Sequence, residues 1–569
     1  MEDPVAGVSF SVGFAVAFLI VLCYFRYSWL RDEADDALLS NEFVGHLAGL
    51  TRDQLENTDS EAQKWTCNIC DFYNADSSPA CVLCDTAREL YLVVSPAFEQ
   101  LDRTLLPSNF TDKQRAARLR KQWRRGFDGR VWSWHASDQE AAAQSSWQVV
   151  GRPNPQVDLA LMALQDATAG VTLLGQPLTP WWFGQLDQLT RLSFSLKYAW
   201  LLEQLAANYD GHARLVVSRD TILEQSLTGL AKTPLRNLCT LSVITLEHET
   251  AVDAGGVTRE WYSVLALAIL EPSQGLFIVT NQDDQSFFIN PNSERVHGPN
   301  HLERYLAIGR LLGRAIIDEQ VLPFHFCVPL FKMLLGYPVS IQDIRYLDPT
   351  VYSSLTYIRD CDDVDDLALT FSVSVDTDVP EVELVVGGRD VGVTNANKAE
   401  YVERMVQYLM FERVAPQLQR LVQGLYDVLP QELLMPFDYK ELELILCGFS
   451  EIDVGDWKRS TIVSKSLEDV VGWFWDVVEF DMTPSDRAKL LQFTTGSSRV
   501  PIQGFKGLTS YDGRLCPFSL HGVPYEYGIF PKVHSCFNRI DLPIYPSRAL
   551  LAEGLFALVN IQSMAFTMV

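Results

Sequence analysis

Basic side chains are in short supply here: 46 Lys and Arg stand against 72 Asp and Glu in 569 residues, a formal charge of −26. Phosphate binding draws on clustered Lys and Arg, so nucleic acid is disfavoured as the main partner, and the acidic balance suits basic protein surfaces. A disulfide framework is also missing. The eleven cysteines are odd in number, four crowd into one short segment, and the rest are scattered singly through apolar stretches, which is the pattern of a reducing compartment. No internal repeat occurs. With 47% hydrophobic and 21% charged residues the chain is not predominantly disordered, and its length allows several domains with large cores.

Charge is wholly absent from Val5 to Phe25. At about 1.5 Å per helical residue this run can cross a hydrocarbon core of roughly 30 Å, and we read residues 5–25 as a transmembrane helix. A cleaved signal peptide is the competing reading. The run is long for one, Glu2 and Asp3 stand where a positive region belongs, and no small-residue cleavage site follows. Arg26 and Arg31 lie just beyond the span, which puts the following chain in the cytosol and makes this a single-pass membrane protein. The sequon Asn109-Phe110-Thr111 would then stay unmodified.

Next comes Trp65-Thr-Cys67-Asn-Ile-Cys70, and after ten residues Cys81-Val-Leu-Cys84. Two CxxC knuckles at this spacing can bring four thiolates to the corners of a tetrahedron around Zn²⁺. The segment 61–90 is too small for a core and would depend on the metal to fold. A thioredoxin-like redox site is the alternative, but it needs only one CxxC. Trp65, Cys67, Cys70, Asn74, Cys81 and Cys84 together resemble the zinc finger of Ran-binding nuclear pore proteins. Some members of that family bind ubiquitin through Thr-Phe after the second cysteine and an apolar residue before the fourth; Asp71, Phe72 and Leu83 hold those positions here. Others bind single-stranded RNA, which the acidic surroundings oppose. A purely structural or protein-docking finger is the remaining reading.

Residues 91–190 read as a linker or a region without an assignable fold. The basic run Lys113 to Arg125 is expected to be helical, with Thr111 as N-cap and Gly126 as its stop. It could lie on anionic lipid, bind a calmodulin-like partner, or be a solvated helix face. From Arg191 the pattern becomes regular: apolar residues recur at helical spacing from Ser193, then Leu215 to Asp220 reads as a strand, with a helix opening at Thr221.

Near the end of the sequence Cys536 sits between His534, Ser535, Phe537 and Asn538, inside Pro531-Lys-Val-His-Ser-Cys-Phe-Asn-Arg-Ile-Asp-Leu-Pro-Ile-Tyr545. A thiolate is intrinsically nucleophilic and its thioester stays activated, so a cysteine can take an acyl group and pass it on. A buried structural cysteine is the alternative on residue type alone. The window resembles the catalytic loop of HECT-type ubiquitin ligases. Further blocks at 252–262, 305–315, 395–401, 441–448, 473–475 and 491–501 extend the resemblance over about 215–569.

The resemblance implies an α+β, bilobal HECT domain: a mainly helical N-lobe (191–464, with a preceding helix) and a small α/β C-lobe (465–569), joined by a hinge near 463–469. The four-cysteine zinc finger and the transmembrane helix precede it. It implies that a ubiquitin-conjugating enzyme delivers ubiquitin to Cys536 as a thioester and that a lysine of a protein substrate then accepts it. Phe566, fourth from the end, matches a phenylalanine that orients the C-lobe during lysine attack. His534 is a candidate to favour the thiolate or to orient the thioester, and no triad with a distant Asp or Asn can be read. Gly255 and Gly256 read as a turn, 305–315 as a core helix with glycines for close packing, Trp473 and Trp475 as core, and Cys447 and Cys516 as bystanders. A cysteine hydrolase such as a deubiquitinase, and an inactive HECT-like scaffold, are the rival readings.

Overall fold

The computed structural model describes residues 64–559 apart from short internal stretches, the longest being 93–103, 248–255 and 509–515. The span expected at 5–25 and the tail carrying Phe566 lie outside the described residues. Among the described residues no helix is long and apolar enough to cross a membrane.

Two large cores divide the protein, with a small third cluster of Leu178, Phe183 and Leu186 among the described residues. The larger runs from Trp65 to Cys447 and is built mainly from helices. At its centre the helices His301–Ile317 and Ala415–Val428 cross so closely that a Cβ on Gly309 would collide with the Leu421 carbonyl, and one on Gly424 with that of Leu306. The glycines expected to permit close packing therefore do so. Arg310 on the same helix is buried but fully engaged. Its guanidinium pairs with Asp427 at 2.7 Å and donates to the carbonyls of Leu230, Ala231 and Thr233, closing the C-terminal end of the helix Ile222–Lys232.

The smaller core runs from Val454 to Val559. Its sheet has four strands in the spatial order Ile462–Val463, Ser519–Val523, Arg539–Pro543, Lys532–His534, the first three parallel and the last antiparallel. The helices Val471–Asp476, Pro484–Thr495 and Arg548–Val559 complete an α/β unit. Trp457 stacks on Phe505 at 4.9 Å between ring centres and meets Phe518 and Trp475 edge-on. Trp475 is buried and Trp473 half-buried against this core, as expected. Because Trp457 and the strand Ile462–Val463 already belong to this unit, the division between lobes falls between Cys447 and Val454. The expected hinge at 463–469 lies inside the smaller lobe instead.

Two further expectations change. Several described parts of 91–190 are built into the larger core: the strand Ser146–Arg152 pairs with both Asp158–Ala163 and Val339–Ser340, and Trp134 packs on Tyr337 at 4.4 Å. The basic run is not one helix. Thr111 caps the helix Asp112–Arg118 in a reciprocal box with Gln114, but a 3-10 turn ends it at Lys121, and Trp123–Phe127 is a strand paired with Trp132–Ala136. It is a solvated face only in part, with Arg118 and Arg124 exposed. Arg120 is buried on Asp438 and Glu441, and Arg125 lies 4.5 Å from the Trp134 ring while donating to the Leu335 carbonyl.

Candidate active site and metal centre

The cysteine turn joins an edge strand of the smaller lobe's sheet to its inner neighbour. Lys532–His534 runs up, the 3-10 turn Ser535–Phe537 contains Cys536, and Arg539–Pro543 returns. The reversal needs a left-handed residue, and Asn538 supplies it at φ +48°. Asparagine tolerates this conformation better than most residues. Its side chain then locks the turn: fully buried, Nδ2 donates to the Cys516 carbonyl at 2.7 Å and Oδ1 accepts from Arg259 of the larger lobe at 3.4 Å. Arg259 also donates to the Thr495 carbonyl, and Ser263 to that of Gly496, so the helix Gly256–Leu270 abuts this face of the smaller lobe.

His534 finds a partner that the sequence reading did not name. His534 pairs with Arg539 and Lys532 with Asp541 in the antiparallel register, so His534 and Asp541 are diagonal neighbours on one face. His534 Nε2 lies 2.8 Å from Asp541 Oδ2, and Arg539 Nε lies 2.9 Å from Oδ1. The alternation in Arg-Ile-Asp-Leu-Pro was the available signal, since it puts Arg539 and Asp541 on one face.

The other thiols take lesser places. Cys447 is buried in the larger core, and burial pushes its thiol up to about 12. Cys516 lies closer to the turn than a mere bystander: its Sγ donates to the Phe537 carbonyl at 3.3 Å.

The metal centre is in the other lobe. Lys64–Thr66 and Tyr73–Ala75 form a hairpin, and both CxxC knuckles repeat one backbone pattern. Cys67 N–H donates to Phe72 and Asp71 N–H to the Cys67 carbonyl; Cys81 N–H donates to Thr86 and Asp85 N–H to the Cys81 carbonyl. Asp71 and Asp85 take the left-handed turn positions at φ +54° and +57°. The four sulfurs lie within 4.8 Å of one another and are buried, with Cys67 to Cys84 at 3.5 Å and Cys70 to Cys81 at 3.6 Å. A tetrahedral Zn²⁺ with Zn–S bonds of about 2.3 Å needs sulfurs about 3.8 Å apart, so the cluster fits. Ile69 N–H donates to Cys67 Sγ at 3.4 Å, and the Thr86 hydroxyl lies 3.0 Å from Cys84 Sγ.

The surface expected to meet ubiquitin is not open. Phe72 is 7% exposed and Leu83 2%, because both pack into the larger core, with Phe72 6.1 Å from the ring of Phe194 and 5.4 Å from the Arg120 guanidinium.

The chain is thus a two-lobed α+β protein with a cysteine turn at the edge of its smaller sheet, against a helix of the larger lobe. The model of the HECT-domain (ubiquitin-transferase) family matches residues 263–569, and this chain belongs to that family. It is 38% identical over 354 residues to E3 ubiquitin-protein ligase Smurf1 of Drosophila melanogaster, covering 61% of this chain and 33% of the relative. It is 40% identical over 323 residues to E3 ubiquitin-protein ligase TOM1 of Saccharomyces cerevisiae, covering 56% and 10%, and 37% identical over 361 residues to E3 ubiquitin-protein ligase HACE1 of Bos taurus, covering 62% and 39%. The chain thus spans well under half the length of these curated relatives.

Proposed function

We propose that this chain is a membrane-anchored ubiquitin-protein ligase whose catalytic lobes face the cytosol. The observation that carries the reading is the cysteine turn: the residue matching the family's nucleophile stands in a 3-10 turn braced by Asn538 and flanked by the His534–Asp541 pair. The Cys536 sulfur attacks the carbonyl carbon of ubiquitin held as a thioester on a conjugating enzyme. The new C–S bond forms as the old one breaks, and the donor thiolate leaves. The amine of a substrate lysine then attacks, C–N replaces C–S, and the nitrogen gives up a proton. Since the thioester is already activated, positioning supplies most of the acceleration. His534, oriented by Asp541, acts on this positioning, and Phe566 acts at the lysine step.

Cys67, Cys70, Cys81 and Cys84 hold one Zn²⁺, which supplies folding free energy to a segment with no core of its own and takes no part in acyl transfer. The anchor is residues 5–25, oriented by Arg26 and Arg31.

The test is incubation of the full chain, in detergent, with activating enzyme, conjugating enzyme and ubiquitin. A thiol-sensitive ubiquitin adduct that maps to Cys536 and chases onto lysine is expected. Absence of the adduct reduces the chain to a scaffold, and release of free ubiquitin from ubiquitin conjugates in its place makes it a hydrolase.

A further inference from the structure

The four-thiol segment is wired to the ligase lobe by two routes that its resemblance to a recruitment finger does not explain. In the first, Arg120 is 5% exposed and its guanidinium reaches three acceptors: the Cys70 carbonyl at 3.4 Å, Asp438 at 2.8 Å and Glu441 at 2.8 Å. Burial works against this charge, and the two carboxylates outweigh it. In the second, the Thr86 hydroxyl that touches Cys84 Sγ accepts from Gln114 at 3.0 Å, and the helix bearing Gln114 offers its Ala116 carbonyl to the Tyr439 hydroxyl at 2.5 Å.

Both routes end at one place, the start of the helix Tyr439–Cys447. Asp438 is its N-cap and accepts from the Lys440 and Glu441 amides, while Glu441 returns the bond to the Asp438 amide. The helix's far end is Gly448 at φ +59°, where a Cβ would stand 2.8 Å from the Val500 carbonyl of the smaller lobe. One helix therefore spans from the metal segment to the junction between lobes.

We propose that the loaded metal site is an internal staple: it fixes the start of this helix and, through it, the connection that carries the catalytic lobe, in place of recruiting ubiquitin. This rests on the reading of the four thiols as a Zn²⁺ site. Without metal the segment cannot stay folded, because its apolar residues reach the core only while the knuckles hold their shape. Arg120 would then lose the Cys70 carbonyl and the cover of Phe72, and water would reach the cap. Arg120 and the metal segment hold one side of this helix start, while Lys197 meets Glu441 and the Pro436 carbonyl on the other.

The experiment is hydrogen exchange on the full chain in detergent, loaded with Zn²⁺ and then stripped by a chelator, with bound zinc measured alongside. Stripping is expected to release one Zn²⁺ per chain and to speed exchange at 439–447 at least tenfold, with re-addition of Zn²⁺ restoring it. Arg120→Gln in the zinc-loaded protein should reproduce the faster exchange while keeping the metal; if that variant does not fold, the stripped wild-type chain carries the test. One zinc bound but unchanged exchange at 439–447 overturns the staple and leaves the metal site standing. No bound zinc overturns both. A saturable ubiquitin titration that protects 67–84 in the loaded protein overturns the claim that this segment works inward.

Discussion

His534 Nε2 and Asp541 Oδ2 stand 2.8 Å apart across the two strands that flank the cysteine turn. The same carboxylate holds Arg539, so a single acidic side chain sets the orientation of both neighbours. Asp541→Ala should slow ubiquitin loading onto Cys536 about tenfold to a hundredfold, the range expected when a positioning group is lost. Single-turnover discharge of the conjugating enzyme measures this, and a rate equal to wild type would reduce the pair to scaffold.

Among the thiols, Cys536→Ala should abolish the adduct. Cys516→Ala should keep it near normal, because the bond that matters there runs from Asn538 to the Cys516 carbonyl, which any residue retains. Cys447→Ala should likewise spare loading. A non-reducing gel of the three variants after charging reads this directly, and an adduct on the Cys536 variant would remove the central claim.

Asn538 does two jobs that substitutions can separate. Asn538→Gly keeps the left-handed turn but loses the side-chain bonds; Asn538→Ala loses the bonds and adds backbone strain of about 1–2 kcal/mol. An unpaired buried carbonyl costs about 1–3 kcal/mol. Denaturant unfolding of the smaller lobe should therefore rank wild type above Gly and Gly above Ala. Equal stabilities for the two variants would mean that the turn carries no strain.

At the helix crossing, Gly309→Ala should destabilise the larger lobe by about 1–3 kcal/mol through overpacking against the Leu421 backbone. Gly184→Ala is the contrast. That glycine is exposed on the helix Pro180–Thr190 with open space around it, so the change should stabilise by about 0.5–1 kcal/mol. Melting curves of both variants check the sign.

Topology has its own marker. Asn109 is exposed, and the Thr111 hydroxyl of its sequon is engaged as a helix cap. With the catalytic lobes in the cytosol, Asn109 should carry no glycan in a glycosylating cell. A mobility shift removed by deglycosylase and absent in Asn109→Gln would place the lobes on the wrong side of the membrane.

Local chemistry was legible in the chain because the groups concerned are close in sequence. The four thiols of Cys67, Cys70, Cys81 and Cys84 converge because two-residue spacers let each knuckle fold on itself, and Thr111 caps with Gln114 because a capping box spans one turn. Glycine spacing in 305–315 foretold a close helix crossing without naming the partner. The rest depended on distant partners. Arg120 reads as one more charge in a basic run, yet it is buried on carboxylates 318 and 321 residues away. The helix expected through Arg125 gives way to a strand because Trp132–Ala136 pairs with it there. Phe72 and Leu83 match a binding face in sequence and are core in the fold, with Phe194 and Arg120 against Phe72 and both residues part of the larger core. Sequence set which side chains could bond; burial set which of them had to, since a charge or an apolar ring removed from water takes whatever partner the packed chain brings within reach.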